Sequence, residues 1–177
     1  MKNSILSIAV FVIILISSSQ LTAQKFKSLD KSPMDVAAFP NSYKISDKIV
    51  KVVYSRPQLK GRDLVKLAPP EKVWRTGANE AAEITFYKDV IFGGKALKAG
   101  TYSLFTIPSE DGDWTVIINK AKNVWGSYYY KQDQDVIRVS GKTSKADKNI
   151  EAFSMMFDKD MTLKMGWGNT VISVPIK

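Results

Sequence analysis

Three of the four arginines in this 177-residue chain lie within one short stretch, at Arg56, Arg62 and Arg75, and the fourth is Arg138. Arginine carries a planar guanidinium whose N–H donors grip carboxylate or phosphate groups. Like charges converge stably only where acids or a bound anion offset their repulsion. The clustering predicts an anion-binding surface if the loops that carry these residues fold together. The alternative is that Arg56 and Arg62 point into solvent.

The segment richest in chemistry is residues 73–81, Val-Trp-Arg-Thr-Gly-Ala-Asn-Glu-Ala, which precedes a β-rich run. As a ligand-contacting loop it would use Trp74 as a stacking face and Arg75 as an anion donor. Asn79 and Glu80 would then orient the ligand through hydrogen bonds. As a structural corner it would instead bury Trp74 in the core and pair Arg75 with Glu80.

A second candidate surface is the aromatic run Trp-Gly-Ser-Tyr-Tyr-Tyr at residues 125–130. Exposed aromatic faces stack on sugar rings and flat ligands, although aromatic side chains also cover the edges of a core. We therefore name a ligand-binding set and assign no catalytic residue and no metal ligand. The set comprises Arg56, Arg62, Trp74, Arg75, Asn79, Glu80, Trp125 and Tyr128.

The absence of cysteine and histidine narrows the chemistry. Without these residues there is no imidazole base, no thiolate nucleophile, no disulfide, and no zinc, haem or iron–sulfur site of the usual ligand types. We expect no cofactor. Three Asp-x-Asp pairs lack the other positions of a calcium loop and are interpreted as turns. They begin at Asp111, Asp133 and Asp158.

Carboxylates near the arginines keep an enzyme open as an alternative. Glycoside hydrolysis needs two carboxylates that flank the scissile bond, and sequence alone does not give their separation. The acids in question are Asp63, Glu71, Glu80 and Glu83.

The first 23 residues predict a cleaved secretory signal. Lys2 is followed by an apolar run over residues 5–16, which is shorter than the ~20 residues of a membrane-spanning helix. No cysteine is present to carry a lipid anchor. We expect a periplasmic or extracellular protein with no transmembrane segment after cleavage, an N-terminal arm at residues 24–48, and one β domain at residues 49–177.

The charge balance is basic, with 26 Lys plus Arg against 17 Asp plus Glu and a formal net charge of +9. Such a balance suits nucleic acid, anionic membrane or acidic polysaccharide. The lysines are scattered along the chain with no long run, which is typical of a solvated surface. Together with the predicted export, this argues against a nucleic-acid partner.

Short apolar runs separated by turn signals predict an all-β sandwich or barrel-like domain with little helix. Residues 161–167, Met-Thr-Leu-Lys-Met-Gly-Trp, place an apolar side chain at every second position, as in a strand with one buried face. Gly93-Gly94 indicates a tight turn, and short helical turns are expected near residues 64–67 or 120–124. The remaining predicted strands are 49–54, 84–87, 90–92, 101–107, 114–119, 136–140, 152–157 and 170–176.

Landmarks in order along the chain resemble a known bacterial family, domain of unknown function 2911, typical of exported proteins of Bacteroidetes-type bacteria. They are Lys-Ser-Pro-Met-Asp at 31–35, Tyr-Ser-Arg-Pro at 54–57 with Gly-Arg at 61–62, the segment 73–81, Gly-Thr-Tyr-Ser-Leu-Phe-Thr-Ile-Pro at 100–108, Trp-Thr-Val-Ile at 114–117, Val-Trp-Gly at 124–126, and Val-Pro-Ile at 174–176. The resemblance implies a single exported β domain and brings no activity, substrate or catalytic residue.

Three functional hypotheses follow from these observations. The first is a non-catalytic envelope domain that binds a polar ligand, either anionic or a carbohydrate, through the set named above. The second is a carboxylate-dependent glycan hydrolase, and the third is a structural or partner-binding module of the envelope. Strand order, ligand identity and oligomeric state are left open by the sequence.

Overall fold

The computed structural model describes residues 26–177, and the predicted signal segment lies outside them. Nine strands and very little helix make up this part of the chain, which confirms the all-β prediction. The strands are β1 (Met34–Phe39), β2 (Val50–Ser55), β3 (Ala82–Phe86), β4 (Val90–Phe92), β5 (Lys95–Leu97), β6 (Gly100–Ile107), β7 (Trp114–Asn119), β8 (Asp135–Phe157) and β9 (Leu163–Val174). A four-residue helix, α1 (Leu64–Leu67), and a 3₁₀ turn (Gln132–Gln134) complete the elements.

Seven of the strands form one antiparallel sheet in the order β1-β2-β3-β6-β7-β8-β9. Strands β4 and β5 form a separate hairpin, inserted between β3 and β6. Its turn is Gly93-Gly94, as predicted, and both glycines have positive φ, which glycine adopts without a Cβ penalty. The helical turn at 64–67 is also present, whereas residues 120–124 form no helix.

Two features of the strand pattern differ from the prediction. A six-residue strand, β1, lies inside the expected arm, because its full length pairs with β2. The runs at 136–140 and 152–157 belong to one 23-residue strand, β8, and the last two predicted runs merge into β9. β8 and β9 continue through the segments that the sequence suggested were turns, because the two strands hydrogen-bond to each other along their length. Register shifts accommodate the extra residues of β8.

The sheet curls until its two ends meet. The chain just after β2 pairs with β8 through a bridge between Gln58 and Ala152, and the Leu59 amide donates to the carbonyl of Glu151 at 3.0 Å. Tyr54 adds a side-chain link, since its hydroxyl accepts the Met155 amide at 2.8 Å. Residues distant in sheet order are thereby joined, and the curled sheet encloses one main core.

That core is centred on an aromatic cluster. Trp74 stacks on Trp167 with ring centroids 5.3 Å apart, and Phe153 meets Trp74 edge-on at 5.0 Å. Trp114 approaches the same indole at 6.3 Å. Such pairs add specific geometry to the burial of large apolar surfaces, which holds a chain without cysteine together.

A smaller apolar cluster lies apart from the main core. Phe105 and Ile117, from neighbouring strands β6 and β7, are fully buried there with Ala81. Val124 and Tyr130, from the irregular segment after β7, pack against them. Side chains alternate between the faces of a strand, so this segment covers the face opposite the main core.

Within residues 26–177, no helix combines the length and the apolar character that a bilayer crossing requires.

Candidate functional site

Arg56, the first of the clustered arginines, forms hydrogen bonds with residues of two strands. Its Nη1 lies 2.9 Å from a carboxylate oxygen of Asp35 in β1. Its Nε donates to the carbonyl of Phe153 at 3.0 Å, and its Nη2 donates to the hydroxyl of Ser154 at 2.7 Å. The guanidinium thus connects β1 to the second half of β8, across the closure of the sheet.

Arg62, the second, closes its own loop. Its Nε donates to the carbonyl of Leu59 at 2.9 Å, and its Nη2 donates to the carbonyl of Gln58 at 2.7 Å. These two residues pair with β8, so Arg62 supports the same closure as Arg56. Both arginines therefore have acceptors within the chain, although Arg62 is exposed to solvent, as the sequence alternative supposed, whereas Arg56 is half-buried.

Trp74 lies in the main core and is only 5% exposed. Its amide and carbonyl both pair with Thr106 of β6, which fixes the direction of the segment. The next residue, Arg75, consequently points to the opposite face. The alternation of one short run thus assigns the indole to the interior and the guanidinium to the outer face, where Arg75 is half-buried.

Arg75 is half-buried, and its Nε is a buried donor without a hydrogen-bond partner among the described residues. It forms no ion pair with any acid in residues 26–177, so the expected pair with Glu80 is not found. Burial lowers the pKa of Arg75, and the nearby Tyr128 hydroxyl partly offsets this effect. The guanidinium nevertheless stays charged at neutral pH, so a cation lies at this surface without a counterion.

The loop after Arg75 is held in an unusual backbone conformation. Thr76 and Asn79 both have positive φ, which is rare for a β-branched residue such as threonine. Gly77 packs on β2, where an added Cβ would lie 3.1 Å from the carbonyl oxygen of Ser55. The loop is therefore fixed against the sheet by close packing, and the positions of Arg75 and Glu80 are fixed with it.

Backbone pairing brings the aromatic segment beside this loop. Glu80 and Trp125 form an isolated antiparallel bridge, and the Gly126 amide donates to the carbonyl of Asn79 at 2.9 Å. Residues that face each other across an antiparallel bridge place their side chains next to each other. A carboxylate and an indole are thus neighbours at the surface.

The aromatic segment presents its rings to solvent. Trp125 is 55% exposed, Tyr128 is 80% exposed and Tyr129 is 75% exposed. Tyr128 lies against the backbone of Gly126, where an added Cβ would come within 2.8 Å of the ring. Three large exposed rings within five residues form a surface that can stack on a ligand.

A hydrogen-bonded network fixes the C-terminal end of this segment to the sheet. The Tyr130 hydroxyl donates to Asp135 Oδ2 at 2.6 Å and accepts Arg138 Nη2 at 2.6 Å. Arg138 Nε donates to the same carboxylate oxygen, and Asn119 Nδ2 donates to Oδ1 at 2.7 Å. Burial, together with the hydrogen bond to Asp135, raises the pKa of Tyr130 to about 12.

This network was not predicted from the sequence. Two features of the sequence could have indicated the network: an acid and an arginine three residues apart, Asp135 and Arg138, and a polar residue, Asn119, at the end of the preceding apolar strand. The network lies beneath the exposed rings and is itself satisfied, so it anchors the segment without contributing a free group.

Further contacts fix the N-terminal part of the segment. The Asn123 amide donates to Glu83 Oε1 at 2.8 Å, and the hydroxyl of Ser103 donates to the carbonyl of Ala121 at 2.8 Å. Exposed aromatic rings on a backbone anchored at both ends are pre-organised, which lowers the entropy lost when a ligand binds.

A concave pocket of about 270 Å³ lies beside this surface, between the ends of β2 and β3. Glu80 and Glu83 both line it, with Val53, Tyr54 and Ala81 among the wall residues. The other two acids near the arginines, Asp63 and Glu71, do not line this pocket. The Asp63 carboxylate lies 3.8 Å from Lys66 Nζ, and the backbone amide of Glu71 donates to the carbonyl of Pro108. Two carboxylates therefore share one small pocket.

Metal chemistry has little support in the part of the chain that is described. Residues 26–177 contain no group of three acidic, histidine or cysteine side chains arranged to hold an ion. Asp158, from one of the Asp-x-Asp pairs, accepts the amides of Asp160 and Thr162 at 3.0 and 2.9 Å. Its oxygen is used within a turn, as the sequence interpretation had it.

The described residues form an all-β domain that presents anchored aromatic rings, an arginine without an ion-pair partner among these residues, and a small acidic pocket. The chain belongs to the family described as Protein of unknown function (DUF2911), whose family model matches residues 32–176. No curated protein and no solved structure matches the chain.

Proposed function

We propose that this protein is a non-catalytic, exported binding domain whose ligand is a carbohydrate or another polar molecule that carries an anionic group. The observation that supports the proposal is the half-buried guanidinium of Arg75, which forms no ion pair with any acid in residues 26–177 and lies near Tyr128 in an anchored segment of exposed aromatic rings. Because the side chain is only half-buried, an anionic group can approach its charge from solvent.

The roles of the individual side chains follow from this arrangement. Trp125 and Tyr128 supply flat faces for a sugar ring, whose C–H face is apolar. Glu80, next to Trp125, accepts hydrogen bonds from hydroxyl groups, and Asn79 borders the same loop. Arg75 supplies the charge for a carboxylate, sulfate or phosphate substituent.

Among the binding residues that the sequence suggested, we infer that Arg56, Arg62 and Trp74 stabilise this surface and do not form it. The two arginines connect the ends of the sheet, and the tryptophan centres the core beneath the loop. We accordingly propose Arg75, Asn79, Glu80, Trp125 and Tyr128 as the residues that contact the ligand.

A thermal-shift screen against neutral sugars, sugar acids and inorganic phosphate tests the proposal at low and moderate salt. At a ligand concentration of about 100 times Kd, binding adds about 2.7 kcal/mol to the free energy of unfolding. For a domain of this size that amount raises Tm by roughly 5–10 °C. A ligand of the predicted class should produce such a shift in the native protein.

Matched variants distinguish the site from general surface effects. Arg75→Met and Tyr128→Ala should remove the ligand-induced shift. Arg62→Met and Tyr43→Ala remove the same residue types at positions outside the surface and should retain it. A screen with no hit, or a shift that survives in Arg75→Met, would count against the binding role and favour a structural or partner-binding module.

A second candidate function, a glycan hydrolase, is favoured by the pocket that Glu80 and Glu83 share. Retaining and inverting glycosidases both use two carboxyl groups, about 5–9.5 Å apart, that flank the scissile bond. The Asn123 amide holds one oxygen of Glu83, which would fix that carboxylate. The enzyme hypothesis would be supported if the native protein released reducing ends from a glycan that it binds, and if this activity were lost in both Glu80→Gln and Glu83→Gln. Binding without turnover would support the non-catalytic domain.

A further inference from the structure

A basic groove of about 500 Å³ lies along the β8–β9 hairpin, away from the residues of the proposed binding surface. Lys145, Lys148 and Lys164 line it, together with Ile150 and Val171. We propose that this groove is a second binding site, which takes a segment of an acidic polysaccharide.

The curvature of the hairpin creates the groove from residues that are distant in sequence. Between the pairs Lys145–Thr170 and Ile150–Gly168, four residues of β8 face one residue of β9, so β8 bulges outward. Gly166 lies under Ile150, where an added Cβ would come within 2.6 Å of the Ile150 side chain. Lys164, from β9, lines the same groove as the lysines of β8.

The groove has a net positive charge, since its three lysines outnumber the acids beside them. Lys145 and Lys148 are exposed and form no ion pair with the described residues. Lys164 lies 3.3 Å from Asp158, and Asp147 is the one acid among the lining residues. An anionic ligand is therefore complementary, and its attraction is expected to weaken as salt increases.

The lining favours a polysaccharide over other anions. No aromatic or arginine side chain lines the groove, so it lacks the stacking platforms on which single-stranded nucleic acids are bound. Ile150 and Val171 offer an apolar floor for sugar C–H groups, and serine hydroxyls at its edges can bond to sugar hydroxyls.

Binding measurements on the full chain test this site without reference to the Arg75 surface. The probes are heparin and polygalacturonate as acidic polysaccharides, dextran as a neutral one, and vesicles with phosphatidylglycerol. The variant is Lys145→Gln/Lys148→Gln. Its control is Lys88→Gln/Lys95→Gln, which removes the same charge at exposed positions, one in the turn before β4 and one at the start of β5.

We expect the native protein to bind an acidic polysaccharide, and the groove variant to bind about tenfold more weakly at low salt. The control variant should keep most of the affinity, and dextran should not bind. Equal losses in the two double variants would attribute binding to overall charge and overturn the proposal. Failure to bind either acidic polysaccharide, or tighter binding to the vesicles, would overturn it as well. An unchanged response in Arg75→Met would show that the groove acts independently of the proposed function.

Discussion

Replacing Arg75 with methionine should stabilise the protein and at the same time remove its ligand response. Methionine keeps a long, unbranched apolar stem of similar length, which can occupy the half-buried position of the arginine stem. It removes the buried Nε donor that has no partner among the described residues. A residue kept for binding, and not for stability, is expected to behave in this way.

The magnitude follows from the cost of an unsatisfied buried group. Leaving one buried donor without an acceptor costs about 1–3 kcal/mol, and the half-exposure of Arg75 places the expected gain near the lower end, about 1 kcal/mol. For a domain of 150 or more residues, this gain corresponds to an increase in Tm of roughly 2–4 °C. Urea unfolding followed by tryptophan fluorescence, together with calorimetry, measures both quantities without ligand.

Arg56→Met is the matched comparison, because it removes the arginine that the fold uses most. Its guanidinium makes three hydrogen bonds across the closure of the sheet, and one of them is the ion pair with Asp35. Its partial exposure moderates their value, and we expect a loss of about 2–3 kcal/mol. If Arg75→Met were destabilised as much as Arg56→Met, the guanidinium of Arg75 would have a structural partner and the reasoning would be refuted.

Three further predictions concern the elements that hold the site. Trp74→Ala should lower the free energy of unfolding by about 3–5 kcal/mol, whereas the exposed Trp125→Ala should change it by no more than about 0.5 kcal/mol. Gly93→Ala should destabilise more than Gly94→Ala, since both have positive φ but only at Gly93 would the new Cβ meet a side chain, at 2.7 Å. Stability should fall between pH 10 and about pH 12, because the unfolded state ionises at Tyr130 first, and Tyr130→Phe should flatten this slope.

Each of these predictions has a clear contrary result. Similar losses at the two tryptophans would mean that the aromatic segment is part of the core, and equal effects at the two glycines would leave backbone conformation as the whole cause. In the alkaline pH series, stability is expected to fall because the pKa of Tyr130 is higher in the folded state than in the unfolded state. The native form holds its proton longer, so stability is complete below pH 10 and declines above it. A slope unchanged in Tyr130→Phe would mean that other tyrosines, such as the buried Tyr54, carry the effect.

The sequence determined most of the strands, because the signals for them are local. Alternation over residues 161–167 marked a half-buried strand, and β4 and β7 were predicted at their observed bounds. The paired glycines at 93 and 94 marked the hairpin turn, since their backbone conformation is one that other residues adopt at a cost. The short helix at 64–67 was also predicted.

The tertiary structure decided which arginine is left unpaired. Arg56 follows one β-rich run and Arg75 precedes another, and each has an aromatic residue nearby. The neighbouring residue types do not indicate which of the two guanidinium groups will find acceptors. Strand β8 passes beside Arg56 and supplies two acceptors, whereas the described chain around Arg75 supplies none to its Nε. Acceptors nearly a hundred positions away in sequence meet the guanidinium only once the sheet has curled, so local residue types could not predict the pairing.

The same physical reason applies to the strand order and to the surfaces. β1 became a strand because β2 offers it a hydrogen-bonding edge, and the lysines of the groove converge because β8 and β9 bend together. Residue types and their spacing set which side of a strand is buried. Which strands become neighbours, and therefore which charges meet, depends on non-local hydrogen bonding and packing that form only in the folded sheet.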